Sequence, residues 1–423
     1  MRNGTMRSDF VNKLFRGDKG IWFIFMFLCM ISIIEVFSAT SQLSYGSGNF
    51  WSPISSHCIH MLIGVAMVIL VHLLPYKWWK VLGPLLLIVS FFLLVYLVFA
   101  GKAINGGARW IRLFGFSLQP SEIAKLAVIM TVALLLSRMD TDDLASSWKS
   151  FLWIMGITAV FCFFIALENL STAGLLFLVV IMMTLIGGVP KKITLPIYGI
   201  GTLLVAVVLA FFVLTPSKTM KWVADKTPLH RAVTWQNRVK GFVVTLPDNP
   251  ADYRITDENR QISHALIAVA SSGIIGTGPG NSIQRDFLSH ADNDLIFAII
   301  LEELGLVGGI FVLLLYIALL VRVGKIARKC PSRFSTLLVM GCALMLVTQA
   351  FTHMLISVNM FPVTGQPLPL ISRGGTSVII CCMYIGIILN VSYRVGGSDP
   401  QDEDLQIGSL EITDKSEPEG MNQ

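Results

Sequence analysis

The chain has 423 residues, of which 54% are hydrophobic and only 14% charged. A water-soluble domain of that size cannot hide so much apolar surface in one core, so lipid must be its main solvent. The net charge of +6 does not point to nucleic acid, because Lys and Arg are spread over loops rather than gathered on one soluble domain.

A helix needs about 20 mostly apolar residues to cross the roughly 30 Å hydrocarbon layer. Runs of that kind, bounded by charge, Pro or Gly, predict ten spans at 21–40, 57–75, 81–100, 120–138, 151–167, 171–188, 193–215, 294–321, 335–356 and 374–393. The first, Ile21–Thr40, has basic residues before it and small residues after it, as a secretory signal does. Its polar lead is long, however, and its apolar run is of spanning length, which makes it a retained helix. The expected fold class is therefore all-α, a polytopic membrane protein with about ten transmembrane helices over residues 21–395.

With the N-terminus inside, the positive residues fall where short cytoplasmic loops carry them. The tail 1–20 has Arg2, Arg7, Lys13, Arg16 and Lys19; later inside loops have Lys77 and Lys80, Arg138 and Lys149, Lys191 and Lys192, then Arg322, Lys325, Arg328, Lys329 and Arg333. The outside loop 41–56 has none, and although loop 101–119 holds Lys102, Arg109 and Arg112, the opposite orientation scores worse. Both termini are then cytoplasmic, and 216–293 is a large extracytoplasmic loop between helices 7 and 8. Connections that long are usually functional or disordered. Its stretch HALIAVASSGIIGTGPG, 264–280, is too short and too broken for a span and reads as a re-entrant or interfacial element. The acidic, aperiodic tail 396–423 reads as disordered.

The seven cysteines, Cys29, Cys58, Cys162, Cys330, Cys342, Cys381 and Cys382, show no CxxC pair or metal spacing and read as small hydrophobes. No nucleotide-binding glycine loop with its lysine is present, so any reaction takes place at the membrane on something other than cytosolic ATP.

Ionisable groups at membrane depth cost several kcal/mol unless they face a cavity or a partner. Four places carry them. In INGGARWIRLFGFSLQPSEIAKLAVIM, Pro120 suits a first helical turn, and Gln119, Ser121 and Glu122 surround the positive end of the helix dipole. Glu122 and Lys125 are three apart and share a face. They are either a self-neutralising packing pair or, with Arg109 and Arg112 above, part of a cationic pocket for a phosphate-bearing head group. In HADNDLIFAIILEELG, Asp292 or Asn293 suits a helix cap, whereas Asp294 at the outer boundary suits a general base on a sugar hydroxyl. Glu302 and Glu303, two turns deeper, line the same interior or serve structure. In MFPVTGQPLPLISRGGTSVII, Pro362, Pro367 and Pro369 forbid regular helix, while Gly374, Gly375, Thr376 and Ser377 permit close backbone approach, as a substrate wall or a tight turn requires. In LENLSTA, 167–173, a plain turn capped by Asn169 or Ser171 accounts for Glu168 and Asn169. Glu35 and His353 lie in apolar runs with no assigned role.

Three blocks, GARWIRLFGFSLQPSEIAKLAVI, ADNDLIFAIILEELG and PVTGQPLPLISRGGTS, in this order and spacing, resemble the SEDS proteins of FtsW and RodA type, over about residues 20–395. The ENLSTA turn and the PLPLISRGGTS ending are closer to FtsW. The resemblance implies a peptidoglycan glycosyltransferase of the bacterial inner membrane that polymerises lipid II, releases undecaprenyl diphosphate, and works with a class B penicillin-binding protein and other divisome proteins, without nucleic acid. It places the essential aspartate on Asp294 and matches Arg109, Glu122 and Lys125 unchanged. The surroundings depart from the usual pattern: Asp292 stands for His, Asn293 for Thr, Ser289-His290 for Pro-Glu, Glu168-Asn169 for Pro-Asp, and Arg373 for an aromatic. On this reading Lys125 and Arg109 stabilise the departing diphosphate while Asp294 takes the proton of the acceptor's sugar 4-hydroxyl. Gln119, Ser121, Glu122, Gly374, Gly375 and Ser377 complete the substrate contacts. A divalent cation, Mg2+ or Mn2+, could share the phosphate charge, but no ligand cluster in the sequence demands one. A lipid II flippase, a non-catalytic division scaffold and a RodA-type elongation polymerase are the rival expectations.

Overall fold

A computed structural model describes residues 15–47, 52–100, 110–113, 116–140, 142–226, 232–243, 255–256, 259–288 and 292–396. The expectations for Arg2, Arg7, Lys13, Lys102, Arg109, Ser289, His290 and the tail 397–423 lie outside the described residues.

The helices are α1 (Lys19–Ser47), α2 (Ser52–Leu73), α3 (Lys77–Ala100), α4 (Pro120–Arg138), α5 (Leu144–Glu168), α6 (Leu170–Ile186), α7 (Lys191–Leu214), α8 (Ser217–Lys226), α9 (Ala232–Val243), α10 (Arg260–Ser271), α11 (Ile296–Ala327), α12 (Arg333–Ser357) and α13 (Thr376–Val395). A short antiparallel hairpin, β1 (Ile111–Leu113) with β2 (Phe116–Leu118), precedes α4. Among the described residues, nine helices are long and apolar enough to span a bilayer. With the 17-residue α6 they occupy the ten expected positions. Exposed Phe23, Phe37, Phe92, Phe99 and Leu214 face outward, as they must where hydrocarbon is the solvent.

Helix ends explain the boundaries. Pro120 opens α4 at a position where its missing N–H costs nothing. Asp143 caps α5 by accepting from Ala145 N at 2.9 Å, Asn169 caps α6, and Ser332 caps α12. Arg333 donates to Met139 O at 2.9 Å and Gly187 O at 2.6 Å, placing a cation at the negative ends of α4 and α6. At the same end Arg322 pairs with Asp18 at 2.8 Å. Chain parity puts Lys77, Lys80, Arg138, Lys191 and Lys192 there too, so this basic end is the cytoplasmic one.

α4 and α12 are the most enclosed spans, and α7 is the most exposed. Around them α13 packs along α2, α3 along α4, and α11 along α12.

Three features depart from expectation. The loop 101–119 contains the β hairpin, whose strands are too short to show a period-2 pattern. Among the described residues, the loop 216–293 holds three short α-helices and a 3-10 turn, Gln284–Asp286; α8 and α9 fold against α7 through Phe212, Met220, Ala232 and Trp235. The span expected at 294–321 begins at Ile296 and is broken at Gly305, where φ is 70° and ψ −172°.

The break is filled from outside. Glu302 O and Glu303 O would ordinarily accept from Leu306 N and Val307 N. Instead they accept from Thr277 N at 3.0 Å and Gly278 N at 2.8 Å, while Leu306 N and Val307 N donate to Gly273 O at 3.1 Å and Ile274 O at 3.2 Å. Gly305 lies nine residues into α11, about 14 Å along its axis, and Ile274 and Ile275 at the loop tip are exposed beside exposed Leu306 and Val307. Residues 273–278 are thus a re-entrant insertion. The side chains of Glu302 and Glu303 are structural: Glu302 accepts from Ile283 N at 3.0 Å and from Ser282 Oγ, and Glu303 from Gly280 N at 2.9 Å and from Ser38 Oγ.

A Cβ on Gly305 would sit 2.4 Å from Ile274 O. Gly305→Ala should therefore lower the detergent-solubilised melting temperature by a strain of about 1–3 kcal/mol or more, whereas Gly324→Ala, with nothing within 4 Å, should leave it unchanged. Equal melting temperatures for the two variants would refute the interlock.

Candidate functional site

At the end opposite the basic one, the segment between α12 and α13 gathers contacts from several elements. Its prolines and its positive-φ positions, Asn359, Gly365, Leu370 and Gly375, rule out helix, so its backbone groups are free to bond elsewhere. Thr364 O accepts from Asn169 Nδ2 of the α5–α6 turn at 3.4 Å and from Arg238 Nη1 of α9 at 3.0 Å. Gln366 Nε2 donates to Thr172 Oγ1 of α6 at 3.1 Å, and Gln366 O accepts from His353 Nδ1 of α12 at 2.9 Å. Pro367 O accepts from Gln349 Nε2 at 2.9 Å. His353, unassigned from the sequence, thus fastens this wall. The buried Glu35 carboxylate oxygens have no hydrogen-bond partner among the described residues.

Asp294 stands on the turn immediately before α11, half-buried. Neither Asp292 nor Asn293 caps that helix: the cap position is Leu295, with no side-chain bond. Asp292 is engaged by Arg373, whose Nη1 lies 3.1 Å from its Oδ2. Arg238 is a cation whose charge reaches Asp294. Burial pulls the Arg238 guanidinium below its ordinary value, and the nearby Asp294 carboxylate partly offsets that pull.

Lys125 is almost fully buried. Its Nζ lies 2.7 Å from Glu122 Oε1 and donates to Gln349 Oε1 at 3.1 Å. The structure therefore joins Glu122 and Lys125 as a pair inside the α4–α12 interface. Position 125 is linked to the turn of Asp294 through Gln349, Pro367 and Ser372, the last of which donates to Asn293 O at 2.9 Å. Ser121 and Ser377 are buried. Gly375 is open, its nearest neighbour for an added Cβ being Ser117 Oγ at 3.9 Å.

Below Gly375 an apolar crevice of about 270 Å³ lies between α2, α4 and α13, walled by Ile63, Met67, Leu118, Ile123, Ile379 and Ile380. Gln119 and Thr376 are its two polar lining residues, and Thr376 Oγ1 donates to Ser117 O at 3.0 Å, closing the hairpin over α13. Among the described residues no three His, Cys, Asp or Glu side chains come together as metal ligands, and Asp292 is committed to Arg373.

Sequence reasoning missed Arg238, because an arginine in a long polar loop carries no local mark. Gln349 was findable: with His353 it forms a polar pair one turn apart in an otherwise apolar span.

The family profile of FtsW/RodA/SpoVE, described as a cell cycle protein, matches residues 18–396. The chain belongs to this family. Members similar to it include the probable peptidoglycan glycosyltransferase FtsW of Halomonas elongata, 32% identical and covering 86% of this chain and 87% of that one. The protein of the same description from Hahella chejuensis is 31% identical, over 90% and 91%. Among solved structures, a chain of a peptidoglycan synthase complex that coordinates polymerization and crosslinking superposes with a TM-score of 0.65 at 22% identity, over 90% of this chain and 98% of that one. The rod shape determining protein RodA of Thermus thermophilus gives 0.57 at 20% identity, over 89% and 96%. The FtsW/RodA/SpoVE fold is thus present over nearly the whole chain, with the Asp294 turn and the 361–375 wall inside the matched region.

Proposed function

We propose that this chain is a peptidoglycan glycosyltransferase that polymerises lipid II on the outer face of the bacterial inner membrane. The observation that carries this reading is a half-buried aspartate within reach of an arginine's charge, on a turn fastened by Ser372 and Arg373 to the segment leading into the crevice-lining α13. Lipid II has the matching parts: sugars, a diphosphate and a long isoprenoid chain.

In the reaction, the acceptor's sugar 4-hydroxyl oxygen attacks C1 of the lipid-linked donor sugar. The bond from C1 to the phosphate oxygen breaks, and undecaprenyl diphosphate leaves. Asp294 takes the hydroxyl proton as general base. Arg238, Arg109 and Lys125 are the cations assigned to the diphosphate, and for Lys125 that role requires its pair with Glu122 to open. The backbone at Gly374 and Gly375 lets the substrate approach α13, and Gln119 and Thr376 give the crevice its polar contacts, next to Ser121 and Ser377. No step is routed through a divalent cation.

The partner is a class B penicillin-binding protein, and the site of action is the division septum. The FtsW relatives at about a third identity support this choice over an elongation role.

Liposomes carrying the full-length protein and labelled lipid II test the reading. The expected product is glycan chains. Transfer of lipid between leaflets without glycan would show a flippase, and neither outcome would show a scaffold.

A further inference from the structure

The turn that carries Asp294 has no cap of its own, since Leu295 at the head of α11 offers no side-chain acceptor. It is fastened from outside by two consecutive residues. Arg373 N donates to Asp292 O at 2.9 Å, Arg373 Nη1 lies 3.1 Å from Asp292 Oδ2, and Ser372 Oγ donates to Asn293 O at 2.9 Å. The anchor is itself a closed turn: Ser372 N donates to Leu368 O at 2.9 Å, and Leu368 N donates to Ser372 Oγ at 2.7 Å. Two of the three fastenings do not depend on the identity of residue 373. The third is an ion pair with a side chain two residues from Asp294.

That pair also neutralises a second carboxylate on the turn. Asp292 and Asp294 are two carboxylates on one turn, and Arg238 is close enough to Asp294 for their charges to interact. His57 of α2 also lies near Arg373 and Asp292. Arg373 holds the Asp292 carboxylate, while the charge of Arg238 reaches Asp294. Without Arg373, a freed Asp292 carboxylate would repel Asp294, two residues away. Arg373 is also three residues from the first residue of α13, whose Thr376, Ile379 and Ile380 line the crevice, so one side chain ties the crevice wall to the turn.

We propose that Arg373 is a positioning residue for Asp294, acting through Asp292. This rests on the glycosyltransferase reading above. The test is steady-state polymerisation of labelled lipid II by the full-length protein in liposomes, with melting temperature measured in parallel. Arg373→Gln should lower kcat roughly ten- to hundredfold, as a misplaced reacting group does, with KM for lipid II within about twofold.

The decisive variant is Asp292→Asn/Arg373→Gln, which removes the second carboxylate together with its partner. It should turn over faster than Arg373→Gln alone, and Arg373→Lys should retain most of the activity. A purely structural role predicts a double variant no better than the single one, with melting temperature falling in step; that result, or full kcat in Arg373→Gln, overturns the proposal. Should Arg373→Gln fail to fold, the double variant is compared directly with Arg373→Lys, and a double variant below a tenth of the lysine variant's kcat is equally fatal. Asp294→Asn is run alongside: full turnover there would mean that the glycosyltransferase mechanism itself had failed, whereas an inactive Asp294→Asn with a fully active Arg373→Gln would reject only the positioning role.

Discussion

Asp294→Asn is expected to reduce glycan polymerisation by about two to four orders of magnitude, the range associated with loss of a general base. The change keeps side-chain shape and hydrogen-bonding reach but removes the ability to take a proton. Because Asp294 is half-exposed and lies outside the helix, the melting temperature and the binding of lipid II should stay close to those of the parent. Polymerisation within about threefold of the parent would eliminate the base role, whatever the variant did to binding. Arg238→Gln provides a second measure: if its charge serves the leaving diphosphate, kcat should fall with KM little changed.

The next largest effect is expected at the Glu122–Lys125 pair. Lys125→Met leaves the Glu122 carboxylate buried without its cation, and breaking such a pair from one side costs about 3–5 kcal/mol. Thermal unfolding in detergent should show a marked loss for Lys125→Met and for Glu122→Gln taken singly. The double variant Glu122→Gln/Lys125→Met should recover much of it, since it removes both charges. Its activity then separates two roles. If Lys125 only fastens α4 to α12 through Gln349, the folded double variant polymerises lipid II; if Lys125 meets the diphosphate, the same folded protein is inactive. Lack of recovery in the double variant would show that the pair is not self-neutralising.

The ten spans were readable because lipid demands about 20 apolar residues in a row, and that demand acts locally. The break at Gly305 was not readable. Its neighbours Leu304, Leu306 and Val307 are apolar, so hydropathy runs straight through a residue whose backbone is nowhere near helical. The amphipathic α8 and α9 escaped because their folding depends on side-chain packing against Phe212 of the preceding span, which no periodicity in the loop itself reveals.

At the site, Asp294 and the 361–375 segment stood out by cost and by proline content. The meaning of their neighbours did not. Asp292 looked like a cap because caps are local, whereas its partner Arg373 is 81 residues away. Spacing left Lys125 open between a pair with Glu122 and a cationic pocket; the pair is formed, and its second partner, Gln349, sits on another helix where no local pattern points to it.

The interrupted eleventh helix has a bearing on how the protein enters the membrane. Two carbonyls and two amides in its middle are satisfied by a segment synthesised about thirty residues earlier, and each would cost several kcal/mol if left bare in hydrocarbon. That helix cannot settle into lipid by itself. The glycine-rich segment ahead of it has to be in place first, so biogenesis must deliver the two pieces in chain order as one hairpin.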